Sequence, residues 1–198
     1  MTETQARLDV LPLTPDRWAD LESLFGASGA FSGCWCMWWR VTRAEFARQS
    51  PNKGAGNKQA LKALIDSGAV PGLLAYVDGE PAAWCSVGPR EDFGALERST
   101  TLKRVDDKPV WSVVCMFIAR PYRGQGLTAS LLEAAFEFAA ENGSDIVEGY
   151  PYESTKTRRP GGTEAFMGFT NAFGRAGYTE AARVSDRRLI MRRCTGDG

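Results

Sequence analysis

The chain has 198 residues, enough to bury the core of one generous domain without disulfide staples. Its 24 lysines and arginines balance 24 aspartates and glutamates, so no net field draws nucleic acid or an anionic membrane, and a small molecule or another protein is the expected partner. With no histidine, imidazole bases, His-dependent triads and zinc sites with imidazole ligands are excluded.

In chain order, Arg7 to Leu13 alternates weakly as a first strand. Thr14-Pro15-Asp16 offers an N-cap and a first-turn proline for a helix over Arg17 to Phe25. The segment 26–57 is glycine-rich, aromatic and irregular, with short helical turns around Arg43 to Gln49. Lys58 to Ile65 places Leu61, Leu64 and Ile65 on one helical face before Asp66-Ser67-Gly68 stops it. Two apolar runs then flank Asp78-Gly79 in GLLAYVDGEPAAWCSVG, the strongest short-range hairpin signal.

A polar, partly helical insert from Arg90 to Asp107 follows. VWSVVCMFIA is a strand apolar on both faces, as a covered central strand is. Leu131, Leu132, Ala135, Phe136 and Ala139 mark a helix over Thr128 to Asn142, closed by Asn142-Gly143. Asp145 to Gly149 is a short strand, Glu164 to Ala176 a last helix, and Tyr178 to Val184 with Arg187 to Met191 a final antiparallel pair. The order predicts one α+β domain over 1–198, without internal repeat or linker.

Chemistry concentrates between the central strand and the helix after it. In Arg120-Pro121-Tyr122-Arg123-Gly124-Gln125-Gly126-Leu127-Thr128, two glycines let backbone N–H groups converge. The helix start behind them adds an effective charge of about +0.5. Such a turn can cradle a phosphate or diphosphate, although a bare glycine turn also serves as a plain strand-to-helix connection.

This arrangement resembles the GNAT superfamily of N-acetyltransferases, whose pattern is Arg or Gln, two residues, Gly, one residue, then Gly or Ala, after an apolar strand and opening a long helix. Arg123, Gly126 and Thr128 occupy those positions, preceded by Pro-Tyr, and Thr128 departs from the usual small residue. The likeness continues through Val110 to Ile118, the helix to Asn142, the strand ending Glu148-Gly149-Tyr150-Pro151, and Phe173 to Tyr178. It covers 71–193 well and the aromatic segment 26–57 poorly.

The resemblance implies a mixed, mostly antiparallel twisted sheet flanked by helices. It also implies a cleft where the central strand and its parallel neighbour splay around the pantetheine arm of acetyl-CoA. On that basis the backbone of Met116, Phe117 and Ile118 faces the arm, and the amides of Arg123, Gly124, Gln125, Gly126, Leu127 and Thr128 hold the diphosphate. The Arg158-Arg159 pair is a candidate for the ribose phosphate.

An amine of pKa near 10 is protonated at neutral pH, so a base or a desolvating pocket must free its lone pair. Glu148, at the end of the strand bordering the splay, is the first candidate, with Glu153, Asp92 and Glu91 in reserve. The family's general-acid tyrosine is replaced by Phe173, which leaves Tyr150, Tyr152 or water for that part. A departing thiol with a pKa of roughly 8.5 needs little help. Cys115 on the central strand raises a covalent route, against which direct transfer is expected.

GCWCMWWR, Gly33 to Arg40, falls in the acceptor-side segment that the resemblance implies. Cys34 and Cys36 would share one side of an extended segment. With Cys85, Cys115 and Cys194 they make an odd count, expected as reduced thiols, and their spacing suits neither a zinc site nor a redox pair, so no metal is expected. Trp35, Trp38 and Trp39 can pack as core or line a substrate pocket for an apolar or cationic amine.

No apolar run reaches the roughly 18–20 residues that span a bilayer, and MTETQARLDV lacks the apolar core of a secretion signal, so a cytoplasmic protein is expected. The reading is an acetyl-CoA-dependent N-acetyltransferase for a small-molecule amine, with no nucleic-acid or membrane partner and a homodimer left open. A noncatalytic acyl-CoA sensor and a protein-amine acetyltransferase are the alternatives.

Overall fold

The computed structural model describes residues 6–153 and 162–196. Its strands are β1 (Leu8–Pro12), β2 (Gly72–Val77), β3 (Glu80–Pro89), β4 (Trp111–Ile118), β5 (Ile146–Gly149), β6 (Thr179–Ser185) and β7 (Arg188–Cys194). They form one sheet in the order β1-β2-β3-β4-β5-β7-β6, antiparallel throughout except for the parallel pair β4 and β5. The helices are α1 (Trp18–Phe25), α2 (Arg43–Gln49), α3 (Pro51–Asp66), α4 (Gly94–Glu97), α5 (Leu127–Glu141) and α6 (Thr170–Arg175).

Strand alternation sorts the core onto the two sheet faces. Leu73 and Ala75 of β2 with Ala83 and Cys85 of β3 pack beneath Leu131, Leu132 and Ala135 of α5. Leu74, Tyr76 and Trp84 point the other way, into Leu21 and Phe25 of α1, Leu61 and Ile65 of α3, and Trp35. Asp78 and Gly79 turn the hairpin with φ of 51° and 86°, the left-handed pair that a two-residue turn between twisted strands demands.

The connection from α1 to α3 is a succession of tight turns rather than an extended strand. Trp35 and Cys36 have φ of 44° and 53°, and Gly33 N–H, Cys34 N–H and Met37 N–H close turns on Ser28, Phe31 and Cys34. Gly33 lies so close to Gly54 that a Cβ on the former would come within 2.6 Å of the latter's nitrogen, so both positions need glycine. Buried Asn57 fastens this approach by donating to Gly33 O at 2.7 Å.

Two local expectations change. The Thr14 hydroxyl does not cap α1; it turns to the Asp16 carboxylate, and a single 3-10 turn, Pro15–Arg17, precedes the helix. The helix expected over Glu164 to Ala176 is broken at Gly168 (φ 79°) into a 3-10 helix, Gly162–Met167, and α6. A Cβ at Gly168 would meet Met116 and Phe173 at 2.7 and 3.0 Å, so the close approach of those side chains takes precedence over helical continuity.

Candidate active site

β4 is the strand on which the site is built. Its register with β3 passes from Ser86 opposite Cys115 to Val87 opposite Val113, which leaves Val114 as an extra, bulged residue. The bulge resets the alternation: Trp111, Val113, Met116 and Ile118 face the α5 side, whereas Val114, Cys115 and Phe117 face the other. On its opposite edge β4 pairs with β5 only at Trp111, Ser112 and Val113. Among the described residues, Val114–Ile118 therefore has no strand neighbour on that side, and β4 and β5 part at the bulge.

The connection into α5 leaves the parted end of β4. Gly124 and Gly126 have φ of 80° and 87°, and a Cβ on either would meet nothing within 4 Å. Arg123 Nε donates to Ile118 O at 2.9 Å and ties the loop back to the strand. The first amides of a helix have no acceptor within it, and Gly126, at the N-cap of α5, supplies no capping side chain. Arg123, Gly124, Gln125 and Gly126 are exposed, and Leu127 is buried beneath them. An open, electropositive main-chain cradle of this kind fits a diphosphate.

On the far side of β4 lies a cavity of 510 Å³. Its floor is Val114, Cys115 and Phe117, and its walls come from the turn-rich segment, α2, the 3-10 helix and β7. Trp38 and Trp39 line it. Trp38 packs edge-on to Phe46 at 5.0 Å, with the Arg43 guanidinium 3.4 Å above its ring. Trp35 does not line it: that ring is 3 % exposed, stacked 5.9 Å from Trp18 and tilted against Phe25 in the core.

Cys34, Cys36 and Cys115 all reach the cavity, while Cys85 is buried on the opposite face of the sheet, so the four thiols do not gather. The Cys36 and Cys115 sulfurs are 3.7 Å apart, and Trp84 Nε1–H donates to Cys36 Sγ at 3.0 Å. Burial and the neighbouring Cys36 push the Cys34 thiol up to about 12. The thiol of Cys36 is held well above its ordinary value by the hydrogen bond with Cys115 and by burial.

Glu148 and Tyr150 stand elsewhere. The Glu148 side chain is 1 % exposed and does not line the cavity. Its Oε1 accepts from Arg192 Nε at 2.7 Å; its Oε2 accepts from Tyr150 at 3.0 Å and from Arg90 Nη1 at 3.3 Å. The Tyr150 hydroxyl also accepts from Arg90 Nη1 at 2.8 Å and bonds Ser112 Oγ at 2.7 Å. Burial, then the Glu148 charge, raises the Tyr150 pKa. The two residues belong to a buried ion network beneath β5, sealed off from the cavity and so out of reach of an amine held there.

Phe173 is equally structural, its ring pressed on Gly149 and edge-on to Tyr178 at 5.2 Å. Of the reserve carboxylates, Glu153 pairs with Arg183, Glu91 with Arg104 and Asp92 with Arg40, none of them on the cavity wall. Among the residues lining the cavity, the carboxylate is Glu164 and the phenol is Tyr152. Arg187 Nη2 donates to Glu164 Oε1 at 3.2 Å. The expected helix over Glu164 to Ala176 concealed Glu164, because only the break at Gly168 turns the 3-10 helix onto β4. Arg158 and Arg159 lie outside the described residues.

A parted parallel pair, a glycine cradle at its open end and a cavity against the bulged strand define an acyl-CoA transferase architecture, and the comparisons agree. The family model for the acetyltransferase (GNAT) family matches residues 35–149, more than half of the chain, and the chain belongs to that family. Among solved structures, a GNAT-family acetyltransferase from Listeria monocytogenes shares 12% identity and a TM-score of 0.56, covering 98% of each chain. Aminoglycoside acetyltransferase AAC(6')-Ib in complex with coenzyme A and kanamycin shares 15% identity and a TM-score of 0.56 over 96% of each chain. PaiA N-acetyltransferase from Thermoplasma acidophilum, in complex with coenzyme A, shares 12% identity and a TM-score of 0.51 over 95% of this chain and 99% of that one. At these identities the likeness is one of fold. No curated protein matches the chain. Among the described residues no helix is long and apolar enough to cross a membrane.

Proposed function

We propose that the protein transfers the acetyl group of acetyl-CoA to a primary amine of a small molecule, by direct attack within a ternary complex. The carrying observation is that the 510 Å³ cavity opens on Val114, Cys115 and Phe117, the stretch of β4 that has just parted from β5. A thioester threaded from the cradle along the open edge of β4 meets an amine in that cavity without further rearrangement.

In this reading the amides of Gly124 to Thr128 hold the diphosphate and the Arg123 charge adds to their field. The Met116–Ile118 backbone lines the arm, and a β4 N–H near Met116 steadies the oxyanion. Glu164 takes one proton from the bound ammonium, and the freed amine then adds to the thioester carbonyl. The tetrahedral intermediate collapses as its C–S bond breaks, the nitrogen gives up its second proton to solvent, and the departing thiolate is protonated from solvent. Trp38 and Trp39 contact the acceptor, whereas Trp35, Glu148 and Tyr150 maintain the frame around it.

Phe173 keeps a second reading alive, a sensor that binds acetyl-CoA without turnover. The separating measurement is steady-state release of CoA with a panel of primary amines, alongside calorimetric binding of acetyl-CoA. Turnover with an amine is the expected result. Tight binding of acetyl-CoA with no release across the panel assigns the sensor role instead.

A further inference from the structure

One arginine on the cavity wall is only half satisfied by its own fold. Arg188 opens β7; its Nη1 donates to the Tyr152 hydroxyl at 2.8 Å, and its guanidinium lies 4.6 Å from the centre of the same ring. Its Nε and Nη2 are buried and, among the described residues, meet no hydrogen-bond acceptor. These two nitrogens form one edge of the planar guanidinium, and their parallel N–H vectors match the two oxygens of a carboxylate. Buried polar groups are nearly always partnered, so two idle N–H groups on the side chain of a cavity-wall residue mark a place for a ligand. Desolvation also lowers the Arg188 pKa, and a bound anion would offset that effect.

The surroundings carry the same sign. A recess of 420 Å³ adjoins the cavity through Trp39, Arg43 and Arg188, and adds Arg98 and the hydroxyls of Ser99 and Thr100. Across cavity and recess, Arg43, Arg98 and Arg188 face a single carboxylate, Glu164, which is already bonded by Arg187. A polycation would meet repulsion there, and an anionic group attraction. The cavity also carries aromatic walls, Phe31, Trp38 and Phe166, with Phe31 and Phe166 in ring contact at 5.4 Å.

We infer that the acceptor is an amine that also bears a carboxylate on an aromatic body, an aromatic amino acid by chemical class. The carboxylate sits on the Nε–Nη2 edge of Arg188, and the ring sits among Phe31, Trp38 and Phe166. Glu164 is close enough to act on the Arg188 charge, so the wall offers the paired opposite charges that a zwitterion needs. The inference rests on amine acetylation in this cavity and names its substrate class.

The test has a binding arm and a rate arm. In calorimetry with the wild-type protein, 3-phenylpropionate is expected to bind at least about tenfold more tightly than 3-phenylpropionamide, the same body without the charge. Arg188→Gln should abolish that preference and Arg188→Lys should reduce it, since a lysine keeps the charge without the fork. In the rate arm, phenylalanine should exceed phenethylamine in kcat/KM by at least about tenfold, a difference that Arg188→Gln erases mainly through KM. Equal affinity for the acid and its amide, or no binding of the acid at millimolar concentration, overturns the carboxylate seat, and neither result depends on a variant folding. If the acid is preferred but no amine releases CoA, the seat stands and the acetyl-transfer reading falls. If phenethylamine turns over as well as phenylalanine, acetyl transfer stands and the seat falls.

Discussion

Glu148 Oε1 accepts a 2.7 Å hydrogen bond from Arg192 Nε while its Oε2 faces Arg90 and Tyr150, and the whole carboxylate is sealed from solvent. Removing one member of a buried ion network strands the others, at a cost of about 3–5 kcal/mol. Glu148→Ala should therefore lower the urea midpoint strongly, while the molecules that remain folded keep turnover within about threefold. Undiminished stability with turnover lost would return Glu148 to the chemistry.

Asp106 closes the outer end of that network, accepting from Arg192 Nη1 and Nη2 at 2.6 and 3.0 Å. The Arg192 hydrogen bonds hold its carboxyl down from 3.8 to about 2. A pKa depressed on folding contributes stability that is complete above the unfolded value and disappears as pH falls through the folded one. The stability difference between wild type and Asp106→Asn should thus be constant above about pH 5 and shrink between about pH 4 and pH 2. Chemical denaturation across that range checks it; a difference that does not depend on pH would mean that the pair contributes through shape and not charge.

The cradle is tested by charge and by backbone. Gly126→Asp places a β-carbon at φ 87° and a carboxylate where the diphosphate is proposed to sit. Arg123→Glu reverses a charge and breaks the bond to Ile118 O. Each should weaken acetyl-CoA binding at least about tenfold, equal to 1.4 kcal/mol, by calorimetry. Unchanged affinity in both would remove the diphosphate from this loop.

Asp78-Gly79 announced its hairpin because the left-handed turn is written in local chemistry, and the positive-φ glycine turn at Gly124 and Gly126 was legible for the same reason. The bulge at Val114 was not, since a strand apolar on both faces has no alternation to interrupt. Glu148 looked like a cleft carboxylate from its place at a strand end, but its partners Arg90 and Arg192 arrive from 58 and 44 residues away. Glu164 and Arg188 are brought to one wall by tertiary folding alone, and nothing in their neighbours marks them. Trp35, Trp38 and Trp39 are chemically alike; within this run of tight turns the first packs on Trp18 and Phe25 in the core and the other two line the cavity.

Cys115 faces the cavity beside the parted strands, so a covalent route is a concrete competitor to direct transfer. Its hydrogen-bond partner is the Cys36 thiol at 3.7 Å, a neutral donor and not a base. Cys115→Ala should keep kcat within about threefold. Incubation with acetyl-CoA alone should leave the protein mass unchanged. An added acetyl group on Cys115, with turnover abolished in the variant, would establish the two-step route.

Glu164 completes the proton account, because at pH 7 only about one in a thousand molecules of an amine with pKa near 10 is free to attack. A carboxylate on the wall raises that fraction at the moment of attack, a contribution of typically 10²–10⁴-fold for a positioned base. Glu164→Gln should reduce kcat about a hundredfold near neutrality. The deficit should narrow as pH approaches 10, where solvent has already deprotonated the amine. The pH–rate profile separates this from a structural effect, since a misplaced wall would cost the same at every pH. A parallel offset across the range would hand proton removal to Tyr152 or to water held in the same cavity.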